Sequence, residues 1–217
     1  MKKKENLRLF NFSDSKLATL TAEKLAFMRR DADAFLNFGL TELDFVALEN
    51  QVIAFENLET DGEALGTQTM ATADKEVKAE ELRVAIRGIM FRVVLKYKEN
   101  SATYRKFGTE ALAQQSDAEL LLVAKRVVRT ATELLPELAP HGVTAVMLTN
   151  IIALKEALEN LVVDMKMKMS DREIKQENRV VAANAIYSNL VRYANTGLAI
   201  WATTNVAKYN DYVIYEG

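Results

Sequence analysis

The sequence carries a single histidine and no cysteine. Any metal or acid–base centre would therefore rest on His141 or on carboxylates alone. His141 lies between Pro140 and Gly142, and the nearest carboxylate, Glu137, sits four residues earlier across the proline. A working imidazole needs an orienting partner within hydrogen-bond reach, so this one reads as a loop residue. Di-iron bundles require Glu-x-x-His on two helices, and the sequence has no such motif. Without cysteine there is no disulfide framework, zinc–thiolate site or thiol nucleophile. No phosphate loop, dinucleotide fingerprint, nucleophile elbow or EF-hand loop occurs either. The expectation is a protein with no catalytic residue, no metal and no cofactor.

Three other groupings invite a chemical reading. Glu42, Glu49, Glu56 and Glu63 recur every seven residues. Neighbours in such a row stand about 10 Å apart along a helix, too far to share a metal or a proton. Glu42, Glu49 and Glu56 read instead as a solvated edge or a partner surface. Met165-Lys-Met-Lys-Met169 suggests soft-metal binding, but alternate residues of a helix point to different sides. Met165 and Met169 read as core filling near a helix end. The third grouping is polar and lies in the last helix. Val180, Tyr187, Ala194 and Trp201 are seven apart, with Asn184, Val191, Leu198 and Asn205 between them. An asparagine on an apolar stripe fixes register or orients a small ligand in a bundle cavity. Asn184, Tyr187 and Trp201 are the candidate register or pocket residues, and register is the favoured reading.

The elements that would position these residues are helices. Proline occurs 2 times and glycine 8 times, while 49% of the chain is hydrophobic. Few breakers and much Ala, Leu, Glu and Lys favour long helices over a strand-rich fold. After an extended lead-in at Leu7–Phe12, a first helix starts near Asp14, capped by Ser13 or Ser15, and stops at Gly39. Thr41 and Asp44 form a capping box for the second. A third runs from about Asp74 to Lys98 with Leu82, Ile86, Ile89 and Val93 on its inner stripe. Ser116 and Glu119 cap a fourth, which carries Leu120, Ala124, Val127 and Ala131 and breaks at Pro140. Thr144 caps a fifth, and Ser170-Asp171 turns the chain into a sixth, ending near Val206. The aromatic tail Tyr209–Tyr215 packs back on the bundle beside Leu7–Phe12.

The third and sixth helices share a pattern. DKEVKAEELRVAIRGI (Asp74–Ile89) and DREIKQENRVVAANAI (Asp171–Ile186), 97 residues apart, agree at seven of sixteen positions, among them Val84/Val181 and Ile89/Ile186. This predicts an internal duplication. The expected architecture is all-α, an up-and-down bundle of about six helices built from two three-helix repeats. One domain spans 1–217, with repeats at about 13–108 and 116–208.

Charge is segregated. Residues 31–74 hold ten Asp/Glu and no Lys/Arg, whereas residues 75–129 hold twelve Lys/Arg against seven Asp/Glu. This predicts that the acidic second helix lies against the basic third or fourth, or against those helices of a second copy. With a sequence pI near 5.7 and no aromatic-interleaved basic motif, nucleic acid is not an expected partner. The basic N-terminus lacks the 7–15 apolar residues of a secretory signal, and no run approaches a membrane span. A cytoplasmic, non-enzymatic bundle acting through self-association or protein partners is the leading expectation. The alternative is a small-molecule-binding bundle with a polar pocket near Asn184, Tyr187 and Trp201.

Overall fold

The computed structural model describes residues 6–99 and 101–215, so the basic start Met1–Glu5 lies outside the described residues. All regular structure among the described residues is helical. The elements are α1 (Asp14–Arg30), α2 (Ala32–Leu36), α3 (Glu42–Glu56), α4 (Asp61–Lys96), α5 (Ala102–Arg105), α6 (Asp117–Glu133), α7 (Leu135–Leu138), α8 (Ala145–Trp201) and α9 (Val206–Asn210). Short 3-10 turns lie at Leu112–Gln114 and Ala139–His141.

Several boundaries differ from expectation, each for a local reason. The turn at Ser170-Asp171 is absent, and the expected fifth and sixth helices are one 57-residue rod, α8. No glycine or proline occurs from Val143 to Thr196. Serine and aspartate inside a helix cost only about 0.5 kcal/mol each, too little to stop a helix that no glycine or proline interrupts, even though no residue from Glu159 to Ala182 is buried. α4 begins at Asp61 rather than Asp74, running through Gly66. Ala64 and Ala71 are buried on its inner side and offset a glycine cost of about 1 kcal/mol. The first helix breaks at Asp31, whose φ of −105° and ψ of 21° leave the helical region. Gly39 does end the segment, in the left-handed conformation at φ +78°. Both capping boxes form. Asp44 Oδ2 accepts from the backbone N–H and hydroxyl of Thr41, each at 2.8 Å. Ser116 N–H donates to Glu119 at 2.8 Å, and Glu119 N–H donates to Ser116 Oγ at 3.4 Å.

The chain condenses into two compact units. Unit 1 takes the chain up to Asp61 and again from Glu173 onward; unit 2 is Gly62–Arg172. These limits differ from the 108/116 division drawn from the repeat.

Unit 1 packs α1, α2, α3 and the C-terminal part of α8 around a ring-rich core of Phe10, Phe35, Phe45, Phe55, Tyr193 and Tyr212 with Leu17, Met28, Leu48, Ile186 and Leu190. Arg179 ties its helices together. Its guanidinium donates to Asp14 at 2.7 Å and to the carbonyls of Phe55 and Leu58 at the end of α3, and it lies 4.3 Å from the Phe55 ring centroid. A cation there meets the negative end of the α3 dipole.

Unit 2 packs α4, α6 and the N-terminal part of α8 around an aliphatic core. Leu82, Ile86, Ile89 and Val93 of α4, the expected inner stripe, meet Leu120, Val123, Ala124, Val127, Ala131, Ile151 and Leu158. Lys75 is buried in this unit and donates to Asp117 at 2.7 Å. Hydrogen bonds to Asp117 first, and to Glu76 second, hold its ammonium pKa above the ordinary value.

Candidate functional site

In unit 1 the polar residues of the last helix face the chain's own end segments. Asn184 uses both ends of its amide on the lead-in: Oδ1 accepts from Leu9 N–H and Nδ2 donates to the Leu7 carbonyl, each at 2.9 Å. The lead-in has no strand partner among the described residues, and this side chain supplies its backbone with hydrogen bonds. One turn on, the Tyr187 hydroxyl meets that of Tyr215 at 2.9 Å. The Tyr187 ring lies 5.2 Å from Phe10 and 6.1 Å from Phe12, and Phe12 lies 6.0 Å from Tyr215. The aromatic tail therefore packs beside Leu7–Phe12. Burial, and then the bond to Tyr215, push the Tyr187 phenol up to about 12. Trp201 stands apart from these two, with Lys208 Nζ 4.1 Å from its ring centroid. Its Nε1 is buried with no partner among the described residues.

Sequence reasoning missed the anionic centre of this unit, Asp31. Its side chain is fully buried and accepts from Lys208 at 2.6 Å, from Arg30 at 2.8 Å and from the Tyr212 hydroxyl at 2.9 Å. Burial alone would raise its pKa. The hydrogen bonds from Arg30, Lys208 and Tyr212 outweigh that and hold it at about 2. Tyr212 is itself fully buried and rests on Gly197, where a Cβ would come within 2.4 Å of its ring. Only glycine fits there. Nothing in the local sequence signals a contact between residues 181 apart.

The acidic row also finds a cation, but not the expected one. Arg29, at the end of α1, donates to Glu42 and Glu49 of α3, each at 2.8 Å. The bond to Glu49, and next that to Glu42, raise the guanidinium pKa, and Arg29 in turn lowers that of Glu49. The partner thus comes from the preceding basic segment, residues 1–30, because α1 and α3 pack against each other with only residues 31–41 between them. Of the methionines, Met165 is half-buried while Met167 and Met169 are exposed along the uninterrupted α8. They do not fill core at a helix end, because the helix does not end there. His141 sits half-buried in its 3-10 turn.

Unit 2 presents a different kind of surface. Opposite the buried stripe of α4, Met70, Val77, Val84 and Phe91 are 70%, 60%, 56% and 73% exposed. They are seven residues apart, the repeat of a helix seam. Leu95 continues the same face in the last turn and is exposed as well. Beside Val77 and Val84 runs an open groove of about 630 Å³, floored by Ala85 and by Leu154 of α8 and edged by Glu80, Glu81 and Asn150.

No family model, curated protein or solved structure matches this chain.

The functional reading therefore rests on the surfaces themselves. Among the described residues no three of His, Asp and Glu gather closely enough to hold a metal ion. No helix among them is long and apolar enough to cross a membrane. Asn184, Tyr187 and Asp31 have their polar atoms committed to holding unit 1 closed. The outward face of α4 has apolar side chains with no such commitment, and it is the best candidate site.

Proposed function

We propose that this is a non-enzymatic helical protein that works by protein association through the outward face of α4. The observation that carries the reading is the exposure of Met70, Val77, Val84 and Phe91 at a constant spacing of seven residues. Scattered exposed hydrophobics are ordinary, but a contiguous apolar stripe rimmed by charge marks an interaction surface. A helix in a groove is the matching mode of recognition.

The repeat supports the same reading. At the offset of 97 residues, Met70, Val77 and Val84 correspond to Met167, Ile174 and Val181, which are 59%, 53% and 49% exposed on α8. Core positions alone do not explain a match that extends to exposed ones. We take it as the mark of a duplicated helical segment, within an up-and-down bundle of about six helical segments in one domain. The pocket reading has less behind it, since the Asn184 amide and Tyr187 hydroxyl are already engaged.

The test compares the wild type with Val77→Glu/Val84→Glu by covalent capture in native extract, with circular dichroism to verify folding. Wild type should capture a protein, a second copy of itself included, that the folded double variant does not. Identical capture by both would refute the reading.

A further inference from the structure

We infer that the occupant of this face is a second copy of the chain, its α4 antiparallel to the first, with Val84 at the two-fold axis. The inference rests on the association reading above and adds the partner and the register.

Charge selects both. The outward face of α4 is acidic before Val84, with Asp74, Glu80 and Glu81, and basic after it, with Arg87. A parallel, in-register pair would set Glu81 on Glu81 and Arg87 on Arg87, and like charges meeting at a seam are repulsive. An antiparallel pair centred on Val84 does the opposite. Glu80 and Arg87 share one flank of the face, four residues before and three after Val84, so each falls opposite the other on the second copy. Val77 and Phe91 are each seven residues away, so they also pair, placing an aromatic anchor at each end of the seam. The neighbouring antiparallel register, centred between Val77 and Val84, crowds Glu80 and Glu81 of both copies at the axis.

Gly88 gives independent support. A helical glycine costs about 1 kcal/mol relative to alanine, and the fold gives no reason for one here. A Cβ at Gly88 would meet only the Arg92 side chain, at 3.9 Å. Gly88 and Glu81 share the other flank, four residues after and three before Val84, so in this register Gly88 faces the second copy's Glu81 and lets the helices approach closely. The charges need no costly desolvation either. Glu81 accepts from Lys78 at 2.6 Å, and Arg87 pairs with Glu80. Their side chains are 29% to 55% exposed, so dimerisation exchanges one set of surface ion pairs for another. Such pairs set orientation more than affinity. The affinity comes from the apolar face, which runs roughly 38 Å from Met70 to Leu95 at 1.5 Å per residue.

The absence of native cysteine makes the register directly readable. Under mild oxidation of the full chain, Val84→Cys should give a covalent dimer. Val77→Cys and Phe91→Cys should each stay uncrosslinked alone and join when mixed. Light scattering should give twice the chain mass for wild type. Glu80→Arg and Arg87→Glu should each weaken the dimer by roughly tenfold, and mixing the two should restore it as a heterodimer. Self-crosslinking at 77 and at 91 would overturn the antiparallel register. A mass equal to one chain at all concentrations would overturn self-association. If that monomer still captures another protein in extract, and loses it on Val77→Glu/Val84→Glu, the association reading stands and only the second copy is excluded.

Discussion

Unit 1 and unit 2 solve the same problem, a few helical segments around one core, with different materials. Unit 1 uses rings and buried charge. Phe35, Phe45, Tyr193 and Tyr212 contact one another edge-on or tilted, and a fully buried carboxylate, Asp31, is satisfied from three directions. Unit 2 uses branched aliphatics, and its deeply buried cation, Lys75, reaches carboxylates that remain 26% and 58% exposed. Directional contacts make unit 1 dependent on single residues, whereas an aliphatic core spreads its energy. The region with the specific interior keeps its polar groups to itself, and the region with the generic interior bears the unpartnered stripe.

The sharpest break in that comparison is Tyr212→Ala. It removes a buried ring and the hydroxyl that donates to Asp31, so a loss of about 3–5 kcal/mol is expected. Hydrogen exchange should show amides of α1 and α3 losing more protection than those of α6. Equal loss in both would mean that the units do not differ in cooperativity as their cores suggest.

Asp31 gives the next largest effect. Its pKa of about 2 in the fold is below its ordinary 3.8, so its contribution is present above pH 3.8 and is lost as pH falls towards 2. The shift corresponds to about 2 kcal/mol. Asp31→Asn should be less stable than wild type by about that amount at neutral pH, and the gap in denaturant midpoints should close near pH 2. A gap that does not change with pH would assign the effect to packing instead of charge.

Asn184→Leu tests the clamp on the lead-in. A residue that only fixes register tolerates leucine without loss. Because Asn184 instead makes two hydrogen bonds to backbone, its replacement should cost about 1–2 kcal/mol and expose residues 7–12 to proteolysis. The smallest effect belongs to unit 2. Lys75→Met should change stability by no more than about 1 kcal/mol, since its carboxylate partners reach solvent. Thermal melts suffice to check it.

The helical class is legible from composition because scarce glycine and proline leave helices unopposed. The caps at Thr41 and Ser116 are legible because capping is a contact over three residues. The inner stripe of α4 is legible from its spacing. What depends on distant residues is not: Asp31 with Tyr212, Gly197 under that ring, and Arg29 between Glu42 and Glu49. The continuity of α8 through Ser170-Asp171 was misjudged because a cap signal acts only where the preceding chain leaves the helix, and here nothing makes it leave. The stripe at Met70, Val77, Val84 and Phe91 is present in the sequence as a second heptad. It gains meaning only once Leu82, Ile86 and Ile89 are seen to occupy the core, leaving this face outward.

Unit 1 is discontinuous along the chain, and that has a consequence for biosynthesis. On the ribosome, residues 62–172 leave the exit tunnel ahead of Glu173, so the aliphatic unit can close before the last stretch of unit 1 has emerged. The first sixty-one residues have to wait. Phe35 and Phe45 leave the exit tunnel without Tyr193, and Asp31 leaves it without Lys208 or Tyr212. Until the last stretch is released, apolar rings and an unmatched carboxylate stay open to water, and this is the interval in which a nascent-chain chaperone would find its substrate.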